Sequence, residues 1–220
     1  MDARTRIPNP TAKRLSLYLR ELGERRALEA KLTMSSKQLG DALGFSDAQV
    51  RKDLAFVGQL GHPGVGYSVS TLYENLRRIL GRDRSWNAAL VGAGNIGRAL
   101  LSYKPFDEDK FHITRVFDSN PQAIGTTIDK RVILDVARIK EELLDLDIQL
   151  GIIAVPAEHA QVVADQLIAA GVGGILNFAP RRIEVPSPVV LSNVDFTLTL
   201  EQLAFQLNLV QSSSAEGDDS

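Results

Sequence analysis

The chain has 220 residues, 44% hydrophobic and 24% charged, with a formal net charge of −2, the composition of a globular protein with one large core or two small ones. The absence of cysteine excludes a disulfide framework, thiolate metal sites and thiol-based redox sensing, so any redox response has to come through a bound cofactor. No stretch approaches the roughly 18 apolar residues of a membrane span and no apolar signal segment opens the chain, so a cytoplasmic protein with no membrane partner is expected.

The spacing Leu15, Tyr18, Leu19, Leu22 predicts an amphipathic helix over 12–28, with Pro8 and Pro10 before it and Thr11 as its cap. Ser36 is placed to cap a short helix carrying Leu39, Ala42 and Leu43. Gly44 breaks that helix, and Ser46 opens another across 47–57, with Ser46 and Gln49 as a capping box. Helix, glycine turn and helix together are a helix-turn-helix signature. The stretch from Gly61 to Val69 then reads as a short hairpin, or wing, and a last helix carries Leu72, Leu76, Ile79 and Leu80 up to Gly81. Residues 1–84 are thus read as a winged-helix DNA-binding domain.

Charge supports the division. Residues 1–85 hold 15 Lys and Arg against 9 Asp and Glu, a net +6, whereas residues 86–220 hold 10 against 18, a net −8. A basic front half is suited to a polyanion. Gln49, Arg51 and Lys52 fall early in the second helix of the turn, where recognition helices read base edges. Arg4, Arg6, Lys13, Arg14 and Lys37 are placed to meet phosphates. The alternative for Arg51 and Lys52 is a solvated helix face with Asp53 as ion-pair partner.

From residue 85 strands and helices alternate, with strands expected at 88–91, 112–117, 149–155, 174–178 and 189–191 and helices near 95–103, 136–145 and 157–170. This pattern predicts an α/β fold, a Rossmann-like parallel sheet over 85–196. Gly92-Ala93-Gly94-Asn95-Ile96-Gly97 follows the first strand directly. Gly92 allows a tight turn, Gly94 lets a pyrophosphate approach the backbone, and Gly97 lets helix and strand pack closely. Asp118 ends the next strand, where a carboxylate accepts from ribose hydroxyls and repels a 2′-phosphate, favouring NAD over NADP. Val155-Pro156 and Asn177-Phe178-Ala179-Pro180 lie at two further strand ends, on the nicotinamide side. The segment 197–211 is apolar around most of its circumference and predicts a helix that buries itself on a partner subunit. Residues 212–220 are expected to be a disordered acidic tail.

His62, His112 and His159 are scattered, no nucleophile elbow is present, and no cluster has metal-ligand spacing, so neither a catalytic nor a metal site is expected. His159 reads as a surface residue at a helix start. A short chain after the glycines leaves no second lobe for a substrate, which argues against an NAD-dependent oxidoreductase. A module binding coenzyme A is a further alternative, with Asp118 against it because a 3′-phosphate is awkward beside a carboxylate.

Taken together, Val50-Arg51-Lys52-Asp53-Leu54, the wing Gly64-Val65-Gly66-Tyr67, the glycine turn 92–97, Ile175–Pro180 and Asn193-Val194-Asp195-Phe196 resemble the Rex family of redox-sensing transcriptional repressors, in order, from about Ile7 to Leu209. The resemblance implies a homodimer on a palindromic operator with its terminal helix exchanged between subunits, NAD⁺ being compatible with DNA binding and NADH favouring a closed dimer that lets go. It implies that Arg51 and Lys52 touch the operator, and Ser36, Ser46, Gly64 and Tyr67 join them in the expected DNA-binding set. It places Tyr103 near the nicotinamide, has Asp195 exchange partners between Arg20 and the partner subunit's Tyr103, and packs Phe196 beside the neighbouring cofactor.

Overall fold

Leu15, Tyr18, Leu19 and Leu22 are all fully buried along one face of α1 (Asn9–Leu28) in the computed structural model, which describes residues 7–28, 32–62 and 64–215. The helix starts ahead of the expected position, so Thr11 lies inside its first turn and not at the cap. Pro10 is tolerated there because a first-turn N–H has no intrahelical acceptor to lose.

After β1 (Thr33–Met34) come α2 (Ser36–Leu43) and α3 (Asp47–Leu54). The cap of α2 is Ser35, not Ser36: its hydroxyl accepts from the Gln38 N–H at 3.1 Å while Gln38 Oε1 accepts from the Ser35 N–H at 2.8 Å. The complete capping box is therefore here. Ser46 does cap α3, accepting from the Gln49 N–H at 3.2 Å, but the Gln49 amide donates instead to Asp53. Helix α3 ends three residues before the expected Val57. The wing consists of β2 (Gly61–His62) and β3 (Gly66–Ser68), and β1 adds antiparallel to β3 in the order β1-β3-β2. A two-residue strand carries no period for a sequence to reveal. Ser68 caps α4 (Val69–Ile79), whose Val69, Leu72 and Leu76 close the core with Leu39, Val50 and Leu54.

The described residues divide between Arg84 and Ser85 into two compact units. In the second, β4 (Trp86–Val91), α5 (Asn95–Leu101), a short α6 (Pro105–Glu108) and β5 (Phe111–Asp118) are followed by β6 (Thr127–Ile128) and β7 (Arg131–Asp135). Strands β6 and β7 were not expected; Asp129 and Lys130, both at positive φ, make the turn between them. Then come α7 (Ile139–Leu143), β8 (Leu150–Ile153), α8 (Ala160–Ala169), β9 (Gly174–Asn177) and β10 (Val190–Asn193). The sheet order is β10-β9-β8-β4-β5-β7-β6, parallel except for β6. Alternate residues of β4 enter two cores, Ala89 and Val91 with α7 and α8, Ala88 and Leu90 with Leu101 of α5. The chain leaves β4 toward β5 and returns past it to β8, so a crevice opens at the carboxyl ends of β4 and β8, where such sheets bind ligands.

The last helix, α9 (Phe196–Ala215), runs beyond the expected boundary, so its backbone takes in the start of the segment expected to be disordered. Residues 216–220 of that tail lie outside the described residues. Leu200, Leu203, Phe205, Leu207 and Leu209 are each more than half exposed.

Candidate nucleotide cavity and DNA-binding face

The glycine turn is dictated by close approach. Gly92 sits at φ 102°, and a Cβ there would overlap the Ala154 carbonyl; one on Gly97 would overlap the Gly92 carbonyl. A side chain at Gly97 would push α5 off the turn, and one at Gly92 would drive the turn away from the segment after β8. Around Gly94 nothing lies within 4 Å of a Cβ position, which leaves the backbone open to a ligand. Helix α5 begins at Asn95, so its free N–H groups point to where a pyrophosphate would lie. Asn95 and Ile96 are exposed, and Ala93 is buried with its N–H donating to Asp118 Oδ2 at 2.7 Å.

Asp118 Oδ1 in turn accepts from the Asn120 N–H at 2.8 Å. The carboxylate is thus fixed by two backbone donors and still has acceptor sites for ligand hydroxyls. It stands on the wall of a cavity of about 330 Å³, together with Gly92, Gly94, Val136, Val155 and Pro156. His159, read from the sequence as a surface residue, also lines this cavity, from the 3-10 turn ahead of α8.

The second strand end behaves differently. Asn177, expected among the cofactor contacts, is fully buried and spends its side chain internally: its amide donates to the carbonyls of Ala179 and Arg181 and to Asn193 Oδ1, and its oxygen accepts from the Ala179 N–H. It holds the loop in shape, and Ala179 is buried beside it. Pro180 is exposed and none of residues 177–180 lines the cavity. Phe178 packs at 6.3 Å on Phe196, the first residue of α9. Asp195 caps that helix, accepting from the Leu198 N–H at 3.0 Å. Tyr103 is half exposed and stacked edge-on against Phe106. Arg20 is exposed on α1.

In the first unit, Lys52 and Arg51 are exposed side by side on α3. Arg51 donates to Asp47 Oδ2 at 2.6 Å and to Ser36 Oγ at 3.3 Å; its guanidinium draws the Asp47 carboxyl below the usual range. Arg14, expected at a phosphate, has a structural post instead. Its Nε and Nη2 grip both oxygens of the buried Asp53 at 2.6 and 2.7 Å, and Tyr18, Gln49 and Thr11 donate to the same carboxylate. The Gln49 amide is thereby committed as well. Lys37 pairs with Asp41 on α2, and Lys13 is exposed on α1; Arg4 and Arg6 lie outside the described residues. Tyr67 is half buried against the core, while Gly64 and Val65 are exposed at the wing.

A family model described as "Putative DNA-binding protein N-terminus" matches residues 6–55, and one described as "CoA binding domain" matches residues 83–181. The redox-sensing transcriptional repressor Rex of Desulfitobacterium hafniense is 46% identical over 92% of this chain and 96% of its own length. The chain belongs to the Rex family. The Rex repressor of Carboxydothermus hydrogenoformans is 44% identical over 92% of this chain and 97% of its own. Among solved structures, RSP, a Rex-family repressor crystallised with β-NAD⁺ and operator DNA, aligns at a TM-score of 0.89 and 33% identity over 97% of this chain and 98% of its own. RSP with β-NADH aligns at 0.85 and 32% identity, covering 96% and 98%.

Within this Rex-family chain, sequence reasoning missed the Asp53 assembly and the contribution of α8 to the cavity. A carboxylate in an otherwise basic run reads as a surface partner for its neighbours, whereas three of its four partners here lie 35 to 42 positions earlier. The α8 positions Val162, Val163 and Gln166, with His159 just ahead of the helix, line the cavity together, a spacing the sequence displays but which equally describes a core stripe.

Proposed function

We propose that this chain is a homodimeric DNA-binding repressor that senses the NADH/NAD⁺ balance, its second unit holding the dinucleotide and its first unit the operator. The observation that carries the reading is Asp118: a carboxylate fixed by backbone donors, on the wall of a cavity behind a glycine turn that tolerates no side chain at Gly92 or Gly97, in a chain whose other unit is a winged helix-turn-helix. Asp118 receives the adenosine ribose, the Gly92–Gly97 turn and the start of α5 receive the pyrophosphate, and the nicotinamide extends toward Tyr103, Phe178 and Phe196. On the first unit Lys52 and Arg51 face the operator, with Ser36, Ser46 and the wing beside them. RSP, crystallised both with NAD⁺ and operator DNA and with NADH, supports the pairing of the two ligands.

NAD⁺ and NADH differ at the nicotinamide by one charge and by ring planarity, so groups at that end discriminate them. The ligand shifts the dimer only by its differential affinity for the two forms, and near-complete switching takes a preference of about 10⁴-fold. Regulation needs binding alone, so the chain acts without turnover, in the cytoplasm where its operator lies. The unburied apolar side chains of α9 support a second copy as the surface that covers them.

Anisotropy of a labelled palindromic operator tests the reading: NADH should release it and NAD⁺ should not, and equal responses would remove the redox-sensing claim. The match to the CoA-binding description favours coenzyme A as a second ligand reading. Calorimetry with both nucleotides separates them, since Asp118 disfavours a ribose bearing a phosphate.

A further inference from the structure

Among the described residues, two ionisable side chains line the nucleotide cavity, and the reading above uses only Asp118. The other is His159, which closes the 3-10 turn Ala157–His159 ahead of α8. It is exposed, and its side chain joins no hydrogen bond or ion pair among the described residues. No lysine or arginine is among the residues that line the cavity. A site read as holding a diphosphate thus has one side chain able to bring it positive charge.

The path of the chain sets the level of His159. Strands β4 and β8 run side by side to Val91 and Ile153. The segment leaving β8 lies against the glycine turn, since a Cβ on Gly92 would meet the Ala154 carbonyl and the Val155 side chain. His159 ends that segment, and α8 then returns toward the start of the parallel strand β9. Val162, Val163 and Gln166 therefore lie deeper, and the imidazole stays at the level of the turn. Charged groups flanking the wall are already engaged. Asp135 accepts from the Ala137 N–H at 2.9 Å, Arg138 pairs with Glu141 and Glu142, and Asp165 accepts from the Gln161 amide. Two carboxylates remain near the imidazole: Glu158 beside it in the turn, and Asp118 across the cavity at the end of β5.

We propose that His159 is a contact of the dinucleotide's diphosphate, made through the protonated ring, and that it ties cofactor affinity to pH. The inference rests on the nucleotide reading, which puts the diphosphate at the glycine turn. Imidazole is the side chain whose charge changes near neutral pH. Protonated, it donates a charge-assisted hydrogen bond to a phosphate oxygen; neutral, it loses the charge and the stronger part of the bond. The diphosphate stays ionised throughout, so the change belongs to the protein. Affinity is then higher on the acid side, where the ring is charged, and falls as the proton leaves.

Calorimetric titration of the full chain with ADP-ribose, from about pH 8 to about pH 6, tests this. ADP-ribose keeps the adenosine and the diphosphate and lacks the nicotinamide, so the redox switch does not enter. The unaltered protein should bind it about tenfold more tightly at the acid end, the effect of one charge-assisted hydrogen bond. His159→Asn, which keeps a neutral donor, should give a flat profile at the weaker level. His159→Lys, charged throughout, should give a flat profile at the tighter one. Each profile compares a single protein with itself, so a purely structural role for His159 would lower affinity without altering the slope. A flat profile for the unaltered chain would overturn the assignment alone, as would a slope that survives in His159→Asn. Failure to bind either NADH or ADP-ribose at any pH would overturn the nucleotide reading and this assignment with it.

Discussion

Two aspartates, Asp53 and Asp118, divide the labour of this molecule. Asp53 is 1% exposed, and the chain itself fills its acceptor sites: Arg14 takes both oxygens, and Tyr18, Gln49 and Thr11 supply the rest. Asp118 receives two backbone donors and keeps the remainder of its lone pairs beside a cavity. A carboxylate consumed by its own fold holds elements together, here α1 against α3. One oriented by the fold but left partly unfilled is ready for a ligand. Counting donors on each carboxylate separates scaffold from site where charge and residue type do not.

The contrast breaks first at Asp53. Removing one member of a buried pair strands the other, so Asp53→Ala should cost about 3 kcal/mol or more in urea unfolding followed by circular dichroism, and operator affinity should fall as α3 loses its support. Its pH dependence has a definite sign. Burial pushes the Asp53 carboxyl up, but the hydrogen bonds from Arg14, Tyr18 and Gln49 outweigh it and hold the group below the usual carboxylate range. A depressed folded value means that the contribution is complete above the unfolded value of about 4 and is lost as the pH falls through the folded one. Denaturant midpoints should decline on acidification below about pH 4, and Asp53→Asn should flatten that decline. An unchanged slope would mean that the network contributes nothing by its charge.

Asp118→Ala gives the complementary outcome. The loss of a charged acceptor for ribose hydroxyls should weaken NADH binding roughly 10- to 100-fold, with operator affinity in the absence of nucleotide unchanged. A variant that loses the operator instead would place Asp118 in the scaffold class with Asp53.

Much of this was legible because the periods are strong and local. The helix-turn-helix, the parallel sheet and the glycine turn each rest on neighbours within a few residues, and Leu15–Leu22 or Gly92–Gly97 carry their own physical reason. The errors share another character. Arg14 and Asn177 have partners on another helix or at loop ends, Gln49 turns to Asp53 on its own helix, and a sequence does not show whether a side chain's hydrogen bonds are already spent. Ser46 caps α3 as its type suggests, but at α2 the cap falls to Ser35 and not Ser36, because Ser35 with Gln38 completes the capping box. Strands β1 and β6 are too short to have a period. Strand β7 alternates weakly, with Val132 exposed and Ile133 buried, behind a turn at residues 129 and 130 that carries no proline or glycine signal.

A finer version of the contrast separates the two cations of α3. Lys52 is exposed and has no ion-pair partner among the described residues, while Arg51 is held by Asp47. Lys52→Ala should therefore weaken operator binding up to about tenfold and lower the slope of log affinity against log salt by about one, leaving NADH affinity untouched, if it meets a phosphate. An unchanged slope with relaxed sequence preference would move Lys52 to a base edge.

The smallest effect is expected at Asp47 itself. As first residue of α3 its carboxylate favours the helix N-terminus, yet it also holds Arg51 back and brings a negative charge to the face proposed for DNA. Asp47→Asn removes that charge, keeps a side chain able to accept near the helix start, and frees the guanidinium. Exposed pairs of this kind contribute little to stability, so unfolding should scarcely change, while affinity for non-operator DNA at low salt should rise a few-fold and converge with the unaltered protein as salt is raised. A loss of affinity would reverse the roles: Arg51 would then need Asp47 to aim it, and the pair, like Arg14 with Asp53, would belong to the scaffold.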